Sequence, residues 1–248
     1  MTSGTTTTFF GLLSVNAVLS ARSRPLKVLY ICSDSSTRGL ARVVAEARAQ
    51  SVPVQTWSGD KLVQHFGQDV PDVALETGPR AYLSPDALLG TLRGVDDPWV
   101  LALEGVEDPH QLGAVFRTAV ATGVGAILLP RRLSELSPDL VARSSAGTSE
   151  RAVTCVAEEI SQGLALLGED GFRVVAACAE AEQSVYEVNL RGRLCLVIGG
   201  RHRGLSAETL AVCSERLRLP MEGDVPSLTV ASCAGALLYE AYRQRHAR

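Results

Sequence analysis

The sequence predicts an α/β protein of two domains, the second and larger built on a parallel sheet covered on both faces. Three observations carry this. Short apolar strands alternate with helical stretches along most of the 248 residues. The strands of the second half, at residues 99–103, 126–129, 174–178 and 194–198, are apolar at every position, as strands buried on both sides must be. Between the halves, Gly67, Pro71, Gly78, Pro79, Pro85 and Gly94 punctuate the chain and mark a boundary. The domain limits are read as 9–80 and 98–248, with a linker at 81–97.

Residues 1–8 are Thr, Ser and Gly after the initial Met and are expected to be disordered. Apolar residues recur at helical spacing over 9–20, and KVLYIC at 27–32 is a buried strand. A helix at 37–50 presents Leu40, Val43, Val44 and Ala47, a strand follows at 52–56, and a further helix occupies 59–66. Ser84 caps a short helix at 85–92 inside the punctuated region. After the strand at 99–103, a loop holding Asp108 and Pro109 leads into a helix over 111–122, stopped by Gly123. Helices at 140–146 and 160–167 flank a strand at 153–156. The strand at 194–198 empties into GGRHRG, and an amphipathic helix and a short strand follow. A Pro/Gly loop at 220–226 and a small-residue helix at 231–245 close the chain.

Apolar content of 46% against 21% charge suits a globular protein rather than a disordered one. The stretch 9–18 is too short to span a bilayer and lacks a basic flank, so neither a membrane helix nor a signal peptide is expected, and a cytoplasmic location is. The six cysteines form no CxxC pair and read as reduced thiols. The four histidines have no metal-ligand spacing, so no metal is expected. Net charge is −3, yet Lys27 and Lys61 are the only lysines. Almost all positive charge is therefore guanidinium, whose planar fork suits phosphate, and arginines pair up at 22/24, 131/132, 191/193, 201/203 and 243/245. Such clusters fit either a solvated surface or a polyanionic partner.

Ligands of open α/β sheets bind beyond the carboxyl ends of the strands. Three loops qualify: 104–113, 199–206 and 220–227. GGRHRG is not the dinucleotide pattern GxGxxG, and no P-loop, serine-hydrolase elbow or HExxH occurs. Gly199, Gly200 and Gly204 allow close backbone approach to a ligand, though an ordinary turn accounts for them as well.

DPHQLGAVFRTAVATGV, RLCLVIGGRHRGLS and LPMEGDVPSLTVASCAGALLYEAYRQR resemble, in order and spacing, the three motifs of the SpoU (TrmH-like) RNA ribose 2'-O-methyltransferases of the SPOUT superfamily. The N-terminal part, opening on FFGLLSVNAVL, is similar to the L30e/L7Ae-like substrate-binding domain of the 23S rRNA guanosine-2'-O-methyltransferase branch. The resemblance implies a deep trefoil knot in the C-terminal domain, S-adenosylmethionine as cofactor, an rRNA or tRNA substrate, and a homodimer formed by packing of the C-terminal domains with the last helix in or near the interface; the helix face of Ala231, Ala234, Leu238 and Tyr242 suits either that packing or a contact within the chain. It implies that Gly199, Gly200, Gly204, Leu219, Met221 and Leu228 hold the cofactor, and that Arg117, Ser227, Gln111 and Thr229 stand at the reacting ribose. Arg201, Arg203, Arg22 and Arg24 are the expected RNA contacts. Three polar positions depart from the family pattern: Gln111 and Thr229 stand where asparagines are usual, and Arg201 where a glutamate is, with His202 replacing the next glycine. Two readings follow: an active methyltransferase with altered polar residues, or a catalytically impaired RNA-binding or ribosome-associated protein of the same fold.

Overall fold

The computed structural model describes residues 6–67, 72–201, 203–223, 225 and 227–247. His202, residues 1–5 of the expected disordered start, part of the punctuated stretch (68–71), and Asp224 and Pro226 of the Pro/Gly loop lie outside the described residues. In chain order, the first elements are β1 (Thr7–Phe10), α1 (Gly11–Ala21), β2 (Leu26–Cys32), α2 (Leu40–Ala49), β3 (Val54–Trp57), α3 (Gly59–Phe66) and β4 (Val73–Thr77). They continue with α4 (Pro85–Leu92), β5 (Trp99–Glu104), α5 (Pro109–Ala121), β6 (Ala126–Pro130), α6 (Arg131–Ser134), α7 (Pro138–Ser144) and α8 (Thr148–Arg151). The last are β7 (Thr154–Ala157), α9 (Ile160–Glu169), β8 (Arg173–Ala177), β9 (Leu194–Gly199), α10 (Ala207–Val212), β10 (Glu215–Leu217) and α11 (Val230–His246). No helix among the described residues is long and apolar enough to cross a membrane.

The chain divides into two compact units. The first comprises residues 1–81 together with 137–151. Its sheet runs β1-β4-β2-β3, with β2 and β3 parallel and β4 antiparallel to both β2 and β1. Two strands here were not expected. Residues 7–10 form β1 instead of a disordered end and a helix start, because Phe9 is fully buried in the core opposite Leu75. β4 lies inside the stretch read as punctuation, and its alternate side chains Val73 and Leu75 join Val15, Val18, Leu29 and Val43 in one cluster. The opposite face buries Tyr30, Leu62 and Ala74, with Trp57 and Phe66 packed against them and the Lys61 ammonium 4.0 Å over the Trp57 ring.

The segment 137–151 was expected within the second domain but packs with the first. Ala142 enters the Phe9 cluster, and Asp139 Oδ1 accepts the Phe10 N–H at 2.9 Å. Glu150 receives Arg24 Nε at 2.9 Å and Ser23 Oγ at 2.6 Å. A buried ion pair is not something a helical pattern can announce.

The second unit, residues 82–136 and 152–248, is built on a six-stranded sheet in the order β10-β8-β9-β5-β6-β7. All its pairings are parallel, as the two-sided apolar strands predict. One face buries Val100, Ala102, Leu128 and Val197 against Leu88 and Leu92 of α4 and Leu164 of α9. The alternate residues Leu101, Leu103, Ile127 and Ile198 are equally buried on the other side, where α11 packs along α5 and reaches β9. Trp99, 5% exposed at the start of β5, donates from Nε1 to Gly123 O at 2.7 Å.

Candidate active site

Two cavities open at the carboxyl ends of the second unit's strands. The first, of about 360 Å3, lies beyond β8, β9 and β10. Its lining includes Gly199, Gly200, Gly204, Leu219, Met221 and Leu228, all six residues expected at the cofactor, together with Ser227. The second, of about 340 Å3, is lined by Gly105, Val106, Glu107, Asp108, Gln111 and Thr229. Gly200, Arg201 and Val230 line both.

The floor between them is main chain. Gly200 donates to Glu104 O at 2.7 Å, continuing the β5–β9 ladder, and Gly204 folds back to donate to Gly200 O at 2.9 Å. A Cβ on Gly200 would sit 1.8 Å from Gly105 O, and one on Gly199 would sit 2.7 Å from Gly204 C. Glycine is therefore required by contact at these positions rather than by turn geometry. The loop closes on Glu104, whose Oε2 accepts the Ser206 N–H at 3.1 Å, and Ser206 in turn caps α10.

Two of the departing polar residues have structural work. Thr229 is the N-cap of α11: its Oγ1 accepts the Ser232 N–H at 3.2 Å. Gln111 Oε1 accepts the Ala231 N–H at 3.2 Å from across the α5–α11 contact. Two first-turn donors with no partner inside the helix are thus satisfied. Threonine and asparagine both serve as N-caps, so this role survives the exchange. Thr229→Ala is expected to cost about 1 kcal/mol and Thr229→Asn much less. Urea denaturation of the two variants checks this, and equal losses would count against the cap.

The remaining expected residues divide. α5 starts at Pro109 because Asp108 Oδ1 accepts the His110 N–H at 2.8 Å and proline suits the first turn. Arg117 is exposed on that helix, lines neither cavity, and has no ion-pair partner among the described residues. The carboxylates of the loop that precedes α5 are engaged elsewhere, Glu104 with Ser206 and Glu107 with Arg203 at 3.2 Å. The Arg203–Glu107 pair is an exposed one, weak enough to yield to a phosphate. Arg201 is exposed on the shared wall. Arg22 is exposed at the end of α1, in the first unit. Arg24 is a correction: it is 7% exposed and its guanidinium is held by both oxygens of Glu150, so it is not presented to RNA.

Sequence reasoning missed the loop after β8. Cys178, Ala179 and Glu180 line the first cavity, but no glycine stands at that strand end to mark it, the loop's one glycine being Gly192 just before β9, although the strand-end rule points to it. Cys178 and Cys233 of this cavity are not nucleophiles at neutral pH. Burial raises the Cys178 thiol, with Arg216 opposing and Glu180 adding, and pushes Cys233 up to about 11. Among the described residues no group of three His, Cys, Asp or Glu side chains is arranged to hold a metal ion.

Residues 98–239, more than half of the chain, match the SpoU rRNA Methylase family. The chain belongs to that family. Relatives of this SpoU methylase chain include the 23S rRNA (guanosine-2'-O-)-methyltransferase of Pectobacterium atrosepticum, 32% identical over 238 residues, covering 95% of this chain and 97% of the relative. A solved RNA 2'-O ribose methyltransferase superposes with a TM-score of 0.76 at 25% identity, covering 98% of this chain and 90% of that one. The SpoU methyltransferase AviRb from Streptomyces viridochromogenes, solved in complex with AdoMet, shares the fold, with a TM-score of 0.80 at 19% identity over 96% and 90% of the two chains.

Proposed function

We propose that the chain is an S-adenosylmethionine-dependent methyltransferase acting on a ribose 2'-hydroxyl of rRNA, with a guanosine of 23S rRNA as the favoured target. The carrying observation is full-length similarity to an enzyme of that name, 32% identical over 95% of this chain. The main-chain cavity fits the cofactor: where side chains would fill the floor, glycines leave room for a bent, polar-headed ligand. In this reading Gly199, Gly200, Gly204, Leu219, Met221 and Leu228 hold S-adenosylmethionine, and the carboxylate of Glu180 meets its ammonium or ribose hydroxyls. Bound there, the cofactor supplies a methyl group on a sulfonium sulfur.

The adjoining cavity receives the acceptor nucleotide, with Gln111 and Thr229 in its own lining and Ser227 in that of the cofactor cavity, on either side of the shared wall of Gly200, Arg201 and Val230. The chain's contribution is alignment of the hydroxyl with the methyl carbon, because such a displacement gains most from held geometry. Arg117, exposed on α5 outside both cavities, binds the phosphate next to the reacting ribose, and the 2'-hydroxyl proton leaves to that phosphate or to water. Arg201, Arg203 and Arg22 supply phosphate contacts. The first unit serves as an L30e-like RNA-binding domain, and the segment after β10 is threaded as a trefoil knot. Two copies pair through α5 and α11, where Val120, Tyr239 and Tyr242 remain exposed; Ala234 and Leu238, expected in that interface, are instead buried within the unit. Work on rRNA puts the protein in the cytoplasm.

The impaired RNA-binding reading is not favoured, since the full-length relatives carry the names of active enzymes. The direct test is titration calorimetry with S-adenosylmethionine, followed by methyl incorporation into rRNA from cells lacking the gene and mass-spectrometric mapping of the methylated nucleotide. Cofactor binding and one new 2'-O-methyl ribose are expected. Absence of binding at millimolar cofactor would sink the reading.

A further inference from the structure

The first unit contains a cavity of its own, of about 450 Å3, on the surface between α1 and α2 and closed on one side by the end of the 137–151 segment. Its wall is apolar, formed by Leu12, Ala17 and Val43, and its rim carries Arg42 and Arg151. No acidic side chain lines it. Among the described residues neither guanidinium has an ion-pair partner. The nearest candidates are engaged: Glu46, one turn after Arg42, accepts from Gln50 Nε2 at 2.7 Å, and Glu150, next to Arg151, is buried against Arg24. Asn16 adds an amide, with two donors and an acceptor, between wall and rim.

We propose that this cavity binds a nucleotide of the RNA substrate, away from the nucleotide that is methylated. The base lies against the apolar wall with its edge toward Asn16, and the flanking phosphates meet Arg42 and Arg151. The inference rests on the rRNA reading above and assigns to the first unit a defined place for that substrate. The choice of occupant follows from charge: two unpaired guanidinium groups without a carboxylate in a concave wall complement a polyanion and not a neutral or basic peptide segment. The volume lies within the range of small-ligand pockets, large enough for one nucleotide and not for a helix. The rigid setting also favours it. Gly147, at φ +78, packs so closely on α1 that a Cβ there would sit 2.2 Å from Ala17 Cβ, which fixes one wall relative to the other.

The test is filter binding of rRNA from cells lacking the gene, over a series of salt concentrations, with wild type and the double variant Arg42→Gln/Arg151→Gln. The variant is expected to bind roughly tenfold or more weakly, with a shallower salt dependence by about 0.7–0.9 in log K against log salt for each arginine lost. S-adenosylmethionine affinity and thermal unfolding are expected to stay at wild-type values, since both residues are exposed and unpaired. Wild-type affinity and slope in the double variant would overturn the proposal while leaving the methyltransferase reading intact. Failure of the wild type itself to bind rRNA would instead remove the rRNA reading, and this inference with it. Should the double variant unfold, ultraviolet cross-linking of wild type to the same rRNA decides. Cross-links in the peptides of residues 12–20 or 39–43 support the cavity, and cross-links confined to other surfaces reject it.

Discussion

Gly200→Ala is expected to weaken S-adenosylmethionine binding by roughly 5- to 150-fold, the range that about 1–3 kcal/mol of overpacking corresponds to. The new Cβ would lie 1.8 Å from Gly105 O and 2.3 Å from Gly105 C, and both are backbone atoms on the adjacent strand's end. No rotamer change relieves such a clash. Either the β5 loop or the β9 loop must move, and each forms part of a cavity wall. Gly204→Ala is the matched comparison. Gly204 has φ +59, so alanine is strained there by about 1–2 kcal/mol, but its Cβ meets nothing within 4 Å. Calorimetric titration of both variants, with circular dichroism to confirm folding, separates contact from strain. Unchanged affinity in a folded Gly200→Ala protein would show that the floor does not touch the cofactor.

Glu150→Ala is expected to destabilise the first unit by about 3–5 kcal/mol, the cost of leaving a buried guanidinium without its partner. Arg24 and Glu150 have side chains 3% and 2% exposed, so solvent does little to compensate. Burial pushes the Glu150 carboxyl up, but the hydrogen bond and charge of Arg24, with Arg80 and Ser23, outweigh it and hold the carboxyl below its ordinary value of 4.5. The sign of the pH effect follows. A carboxyl depressed in the folded state contributes its stability above the unfolded value, and loses it as pH falls through the folded one. The wild type is therefore expected to lose stability on acidification below the ordinary carboxylate range, and Glu150→Ala to lack that part of the loss. Arg24→Met combined with Glu150→Leu is expected to recover much of the stability, since an apolar pair of similar volume avoids desolvating two charges. Urea titrations at neutral and acid pH measure all three.

The parallel sheet was legible because the stretches 99–103, 126–129, 174–178 and 194–198 are apolar at every position, and that pattern depends on nothing outside the strand. β4 was not, although VALET opens on three apolar residues, because Pro71 on one side and Gly78 and Pro79 on the other give it the look of a linker. β1 was hidden in a threonine-rich start that acquires meaning only opposite Leu75 and Thr77. The placement of 137–151 depends on contacts such as Arg24 to Glu150, 126 residues apart, and local spacing carries no information about them. At the site, the glycines and Ser227 were picked out through the resemblance; they line one cavity, with Ser227 on the side of the glycines and not in the lining that holds Gln111 and Thr229. Gln111 and Thr229 stood out as departures, but their hydrogen bonds to the first turn of α11 appear only when α5 is packed beside it.

The two tryptophans fall one to each unit, Trp57 on β3 and Trp99 on β5. Their surroundings differ as well: Trp57 is partly exposed beneath the Lys61 ammonium, whereas Trp99 is enclosed and hydrogen-bonded to Gly123 O. Intrinsic fluorescence is therefore a built-in label for each half of the chain. In Trp57→Phe the emission reports the enclosed indole of the larger unit alone, and in Trp99→Phe that of the smaller. Denaturation curves of the two proteins, read at the red shift of a newly hydrated indole, follow the halves separately and reveal whether they melt as one cooperative block or in two steps.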